Sequence, residues 1–206
     1  MLVAVYYNNN DIRIENISKP EIGPEEILLK VMASGICGTD VVEWYRLPKA
    51  PRVLGHEVAG VIEEIGKNVL PYKVGDRVFV SHHVPCNHCS YCLNDSHTAC
   101  ETLHTTNYHP GGFSQYIRIP KINIKTGVYK LPPNVSFEEG TFIEPLGCAV
   151  RGQRLIDVKK NDTVLIIGSG IAGILHLQLL KLKKTKKIIA VDINSNRLKM
   201  AKKFGA

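Results

Sequence analysis

Four of the six cysteines in this 206-residue chain stand within fifteen positions: Cys86-Asn-His-Cys89-Ser-Tyr-Cys92, then Cys100. The spacing, C-x2-C-x2-C-x7-C, commits that stretch to a metal-held lobe before anything else about the fold is known. Thiolates packed this closely read as metal ligands rather than as disulfide partners. Two-residue gaps let successive sulfurs turn onto one ion at about 2.3 Å. Four thiolates suit a closed tetrahedral zinc site, which has no open position and therefore serves structure. Iron–sulfur ligation is the competing use of C-x2-C-x2-C, and the seven-residue gap and the absence of proline after Cys100 count against it. His88 and His97 lie inside the lobe and are expected to face solvent, because four thiolates complete the shell. Pro85-Cys86-x-x-Cys89 matches half of a deaminase signature, but no histidine in the chain is followed two residues later by glutamate, which excludes that chemistry.

The rest of the chain has globular composition, 44% hydrophobic and 22% charged, apolar enough to bury a core and too apolar for a disordered chain. No run approaches the ~20 apolar residues of a membrane span. The N-terminus, Met1-Leu-Val-Ala-Val-Tyr-Tyr-Asn8, lacks a basic leader and reads as a first strand, so a cytoplasmic protein with no membrane partner is expected. The net charge of +7 is local: residues 1–150 carry 13 basic and 16 acidic residues, residues 151–206 carry 13 and three. Much of the excess lies in Lys181-Leu-Lys-Lys-Thr-Lys-Lys187, a solvated connection between helix and strand or an anion-binding segment. No nucleic-acid partner is expected.

A second group of possible ligands is scattered. Cys37 falls in Ala33-Ser-Gly-Ile-Cys-Gly-Thr-Asp40, His56 and Glu57 in Leu54-Gly-His-Glu-Val-Ala-Gly60, and Glu144 in Phe142-Ile-Glu-Pro-Leu-Gly-Cys148. Each stands beside or near glycines that let backbone approach closely or turn sharply. One thiolate, one imidazole and one or two carboxylates make an incomplete shell, which leaves room for water or substrate and marks a catalytic zinc.

Thr163-Val-Leu-Ile-Ile167 has the look of a buried parallel strand. It leads into Gly168-Ser-Gly170-Ile-Ala-Gly173 and an apolar helical stretch to about Leu182, and Lys187-Ile-Ile-Ala-Val-Asp192 is a second strand ending in an acid. G-x-G-x-x-G alone is weak. Here it follows a strand, opens a helix and has an acid 19 residues after its last glycine, as a dinucleotide site requires. Gly168 permits the turn, Gly170 admits a pyrophosphate to the helix N-terminus, and Gly173 lets helix pack on strand. Asp192 is expected to bind the adenosine ribose hydroxyls and repel a 2′-phosphate, which favours NAD over NADP. Arg197 either softens that preference or lies on the helix surface.

Taken in order, these motifs resemble the zinc-containing medium-chain alcohol dehydrogenases. Gly55-His56-Glu57-x2-Gly60-x5-Gly66-x2-Val69, Val74-Gly-Asp-Arg-Val78, Cys37-Gly-Thr-Asp40, the four-cysteine lobe and Gly111-Gly-Phe-Ser-Gln-Tyr116 all carry the likeness. The resemblance implies a GroES-like β-barrel catalytic domain, residues 1–150 with a zinc lobe at about 85–100, followed by an incomplete Rossmann coenzyme domain, residues 151–206. It implies two zinc ions per chain and NAD. Cys37, His56 and Glu144 would hold the catalytic zinc, with Glu57 as a ligand or exchanging neighbour, and Cys86, Cys89, Cys92 and Cys100 the structural one. Glu144 in place of a second cysteine points to the polyol and sugar branch, with the threonine dehydrogenases nearest to it. Relatives form homo-oligomers at full length.

By the same resemblance Thr39 carries the proton of a small-molecule alcohol substrate. Many relatives have histidine five residues after the zinc cysteine, to pass that proton onward; here the residue is Val42. Glu43 is expected to bind a polyol hydroxyl or a substrate amine, or to be merely exposed. Cys148 would lie one helical turn beyond Glu144 and touch the nicotinamide. Because a half-fold needs βαβαβ, the chain is expected to lack part of the coenzyme domain. The expected activity is NAD-linked oxidation of a secondary alcohol, with a non-catalytic zinc-binding fragment or interaction module as the alternative.

Overall fold

The computed structural model describes residues 1–206, which divide into two compact units, Met1–Phe142 and Ile143–Ala206. The first is built from antiparallel strands. A three-stranded sheet runs β2-β1-β4, with β1 Leu2–Asn8, β2 Asp11–Asn16 and β4 Arg52–Val53. A five-stranded sheet runs β7-β3-β5-β6-β8, with β3 Ile27–Gly35, β5 Glu57–Ile65, β6 Arg77–Ser81, β7 Tyr116–Ile119 and β8 Val128–Lys130. A bridge between Val3 and Ser114 links them. The expected barrel therefore takes the form of two sheets without a closed ladder.

Alternation explains the core. Ile27 and Leu29 of β3, Val58 and Ile62 of β5, Val78 and Val80 of β6, and Ile117 and Ile119 of β7 are fully buried in one cluster. They are mostly β-branched residues at every second position, so each strand turns one apolar edge inward. Val3, Val5 and Val53 form a smaller cluster under the three-stranded sheet. Two irregularities in the β3–β5 register, between Leu28 and Leu29 and between Val31 and Ala33, set the phase of the strand ends. Beyond them Gly35 stands opposite Glu57, and Glu57 is opposite Ser81 on the next strand.

The cysteine lobe is an excursion between β6 and β7, closed at its base by one threonine. Thr106 Oγ1 accepts from the Val84 N–H at 3.0 Å and donates to the Val84 carbonyl at 3.2 Å.

The second unit alternates helix and strand: helix Ile143–Leu155, β9 Thr163–Ile167, helix Ile171–Leu182, β10 Lys187–Val191 and helix Ser195–Phe204. β9 and β10 pair in parallel, in register from Thr163–Lys187 to Ile167–Val191. Ile166, Leu177, Leu180 and Ala201 form its core, with Val164, Ile188 and Ala190 packed against them. Leu165, Ile167, Ile189 and Val191 alternate with these residues along the strands and are exposed. No helix is long and apolar enough to cross a membrane.

Candidate metal centres and dinucleotide loop

Cys37 caps a single tight turn, Gly38–Val41, immediately after β3. Its Sγ accepts from the Thr39 N–H at 3.5 Å, while the Cys37 N–H donates to Asp40 Oδ2 at 3.1 Å. This reciprocal pair is a capping box that fixes where the thiol points. Glu57 opens β5, with His56 just before it, so the antiparallel ladder carries both to the end of β3. Gly35 makes the approach possible: a Cβ there would lie 2.1 Å from Glu57 Oε2. Ligand atoms of Cys37, His56 and Glu57 all come within 4.8 Å of one another.

Buried Asp40 supports this trio. Its Oδ1 lies 3.5 Å from His56 Nδ1, leaving Nε2 as the nitrogen free to meet a metal. Burial opposes protonation of His56, but hydrogen bonds and charge from Asp40 and Cys37 outweigh it and raise the imidazole to about 9. The site is thus arranged to hold positive charge between a thiol and two carboxylates, which fits a dication bound by thiolate, imidazole and carboxylate.

Two neighbours of this site carry no motif in the sequence. Arg46 donates from Nη2 to Thr39 Oγ1 at 3.1 Å and to Asp40 Oδ1 at 3.3 Å. His82 follows β6, its ring 4.8 Å from that of His56 and 3.9 Å from that of His83. Burial, followed by the charges of His83 and His56, pushes His82 down to about 3, and its buried Nδ1 has no hydrogen-bond partner. Glu43, expected at a substrate cleft or in solvent, is exposed and accepts from the Asn9 N–H at 3.2 Å.

In the lobe the Sγ–Sγ distances are 3.9 Å for Cys86–Cys92, 3.5 Å for Cys89–Cys92 and 3.7 Å for Cys86–Cys100. A tetrahedron of sulfurs about 2.3 Å from a central zinc has edges of about 3.8 Å, so the four sulfurs fit that ion. The Cys86 N–H donates to Cys100 Sγ at 3.4 Å and leads the effects that lower this thiol to about 5. Burial and the adjoining sulfurs push Cys92 up to about 12. Four thiolates this close repel one another unless a cation sits among them. His88 is exposed and His97 partly so.

In the second unit, the glycine loop joins β9 to helix Ile171–Leu182. Gly168 has φ of 91°, and a Cβ at Gly173 would meet the Gly168 carbonyl oxygen at 2.0 Å. Asp192 directly follows β10 and turns back on this loop: Oδ2 accepts from the Ser169 N–H at 2.7 Å and Oδ1 from the Asn194 N–H at 2.8 Å. Those donors hold its carboxyl below the usual range. Arg197 Nη1 lies 3.8 Å from Asp192 Oδ2. Ser169 Oγ is buried without a hydrogen-bond partner, a polar atom in the loop where a dinucleotide phosphate would supply an acceptor. Glu144 stands in the first turn of helix Ile143–Leu155, with exposed Cys148 one turn on.

The strand ladder, the cysteine lobe and the ligand trio together define a zinc-dehydrogenase type of catalytic domain. Residues 23–133 match the alcohol dehydrogenase GroES-like domain, and the chain belongs to that family. Over 206 residues it is 36% identical to a probable D-xylulose reductase A of Aspergillus clavatus, with 96% of this chain and 56% of that protein covered. It is also 36% identical over 199 residues to an L-threonine 3-dehydrogenase of Rhizobium johnstonii, covering 93% of this chain and 56% of the relative. The crystal structure of galactitol-1-phosphate dehydrogenase from Escherichia coli superposes with a TM-score of 0.85 at 31% identity, over 100% of this chain and 61% of that one. The chain therefore spans little more than half the length of these relatives.

Proposed function

We propose that this chain carries the catalytic domain and coenzyme-binding elements of a zinc-dependent dehydrogenase that oxidises a secondary alcohol, of the polyol or sugar class, with NAD. The convergence of Cys37, His56 and Glu57 within 4.8 Å carries the reading. Three protein ligands of mixed type leave a coordination position for substrate, unlike the closed four-sulfur lobe. In this reading Cys86, Cys89, Cys92 and Cys100 hold the structural zinc. The likeness to a D-xylulose reductase and a galactitol-1-phosphate dehydrogenase supports the polyol class.

Bound at the trio, zinc supplies a Lewis acid that makes a hydroxyl more acidic at neutral pH, and NAD supplies the hydride acceptor. The chain's own residues orient and exchange protons. Asp40 holds the His56 ring through Nδ1 and leaves Nε2 to the metal. Thr39 Oγ1 accepts the alcohol's proton and passes its own proton on. Gly168, Gly170 and Gly173 let a pyrophosphate reach the N-terminus of helix Ile171–Leu182. Asp192, held by the Ser169 and Asn194 N–H groups beside Arg197, would accept ribose hydroxyls, and its charge disfavours a 2′-phosphate.

Formation of NADH by the zinc-loaded protein, with NAD and a panel of polyols, aldoses, L-threonine and simple secondary alcohols, tests the reading. Turnover of polyols or sugars supports it. Turnover of threonine alone replaces the substrate class, and a zinc-replete protein that reduces NAD with none of them overturns the proposal.

A further inference from the structure

Arg46 closes the short helix Glu43–Arg46 and folds back over the turn that carries Cys37. Its side chain is 12% exposed and reaches three acceptors. Nε donates to the Thr39 carbonyl at 2.9 Å, and Nη2 donates both to Thr39 Oγ1 at 3.1 Å and to Asp40 Oδ1 at 3.3 Å. The Tyr45 ring centroid lies 5.0 Å from Cζ and backs the plane of the guanidinium. Neutralising Asp40 needs only one of these contacts. The planar fork instead grips the hydroxyl and the carbonyl of a single threonine, fixing the hydroxyl relative to its own backbone.

The hydrogen-bond inventory gives this grip a direction. A threonine hydroxyl has one hydrogen to donate and two lone pairs, whereas a guanidinium has donors only. Arg46 must therefore be the donor, one lone pair of Thr39 Oγ1 is taken, and the hydroxyl hydrogen points away from Arg46. One lone pair and one hydrogen remain. That is the complement a relay needs, with one proton received and a different one released.

We propose that Arg46 is a positioning residue for alcohol oxidation, acting through Thr39 by holding its hydroxyl in the one-in, one-out orientation. This inference rests on the dehydrogenase reading above. In the step, the alcohol O–H breaks and a new O–H forms on Thr39 Oγ1. The original Thr39 O–H breaks as its proton leaves for water, and a bound coenzyme would supply the acceptor for the hydride. Arg46 gives up no proton; it sets the direction of the exchange.

The test compares R46Q, R46K, T39A and the R46Q/T39A double variant for steady-state kinetics, zinc content and thermal unfolding. R46Q is expected to lower kcat by up to about 100-fold, with KM for the alcohol and zinc content unchanged. R46K keeps the charge beside Asp40 and recovers part of the loss. Adding R46Q to T39A lowers kcat no further, and the two single shifts in melting temperature are non-additive, as for residues in contact. Should R46Q fail to fold, R46K carries the same test, because it cannot span both Thr39 atoms, and its loss must vanish in the T39A background. An R46Q loss that persists undiminished with T39A, or that tracks zinc content, makes the role merely structural and overturns the inference. Turnover indifferent to R46Q overturns this inference alone, whereas a wild-type protein without turnover overturns the dehydrogenase reading and this inference with it.

Discussion

Gly35 and Glu57 face each other across the β3–β5 ladder so closely that a methyl group on Gly35 would lie 2.1 Å from the Glu57 carboxylate oxygen. The vacancy is at Gly35 and the carboxylate it admits is on another strand. Gly35→Ala must therefore push Glu57 out of the trio while leaving the cysteine lobe untouched. Metal analysis of the purified variant is expected to show a loss of about one zinc ion per chain, with the other retained. Retention of the full metal content would show that Glu57 is dispensable as a ligand.

The lobe predicts the opposite pattern. Replacing Cys100 by serine removes one sulfur from the four-cysteine cluster, and metal binding at such a cluster would be coupled to folding. Amide exchange is expected to accelerate through residues 86–105, where the short helices Ser90–Leu93 and Glu101–Thr105 lie, with the β3, β5 and β6 amides still protected. Uniform loss of protection through the whole first unit would contradict a locally stabilised lobe.

Asp76 gives a pH dependence of known sign. Lys130 Nζ lies 2.7 Å from its Oδ2, and this bond, helped by the Lys73 N–H, holds the carboxyl below its ordinary 3.8. A folded-state pKa below the unfolded one contributes stability that is complete above pH 3.8 and is lost as pH falls through the lower folded value. Asp76→Asn is expected to cost about 1 kcal/mol at pH 7 and less at pH 2, as the stabilisation is lost on acidification. Urea titrations at both pH values read the difference, and an equal cost at both would assign the effect to packing instead of charge.

The role proposed for Asp192 is coenzyme choice. Asp192→Ser removes the carboxylate charge and the acceptor for the Ser169 and Asn194 N–H groups. NAD affinity should fall roughly tenfold or more, the equivalent of a hydrogen bond to a charged group, with a smaller penalty for NADP. Titration with each coenzyme measures this, and a parallel fall for both would mean that Asp192 only shapes the loop.

How far the sequence disclosed these sites depends on how far apart their parts lie along the chain. The lobe was legible from spacing alone, because all four sulfurs come from one short excursion. The glycine loop was legible because strand, turn, helix and acid follow in order, and the structure adds that Asp192 already binds the Ser169 and Asn194 N–H groups. The trio was harder: Cys37 and His56 meet only through the register of β3 on β5, which two irregularities shift and no residue pattern reveals. Arg46 and His82 escaped entirely. His82 is brought beside His56 by the pairing of Glu57 with Ser81, a relation between strands. Arg46 returns to Thr39 through a short helix that no periodicity marks.

The contrast between a cage drawn from one loop and a trio drawn from paired strands also bears on how each can change over generations. Residues can be inserted into or deleted from the excursion above the Val84–Thr106 clasp without altering any strand pairing. The trio has no such latitude. One residue inserted early in β5 reverses which side chains face Gly35 and sends Glu57 to the other side of the sheet. Drift at the lobe is thus decoupled from drift at the chemistry: indels should be tolerated in the seven-residue span between Cys92 and Cys100 and purged from β5.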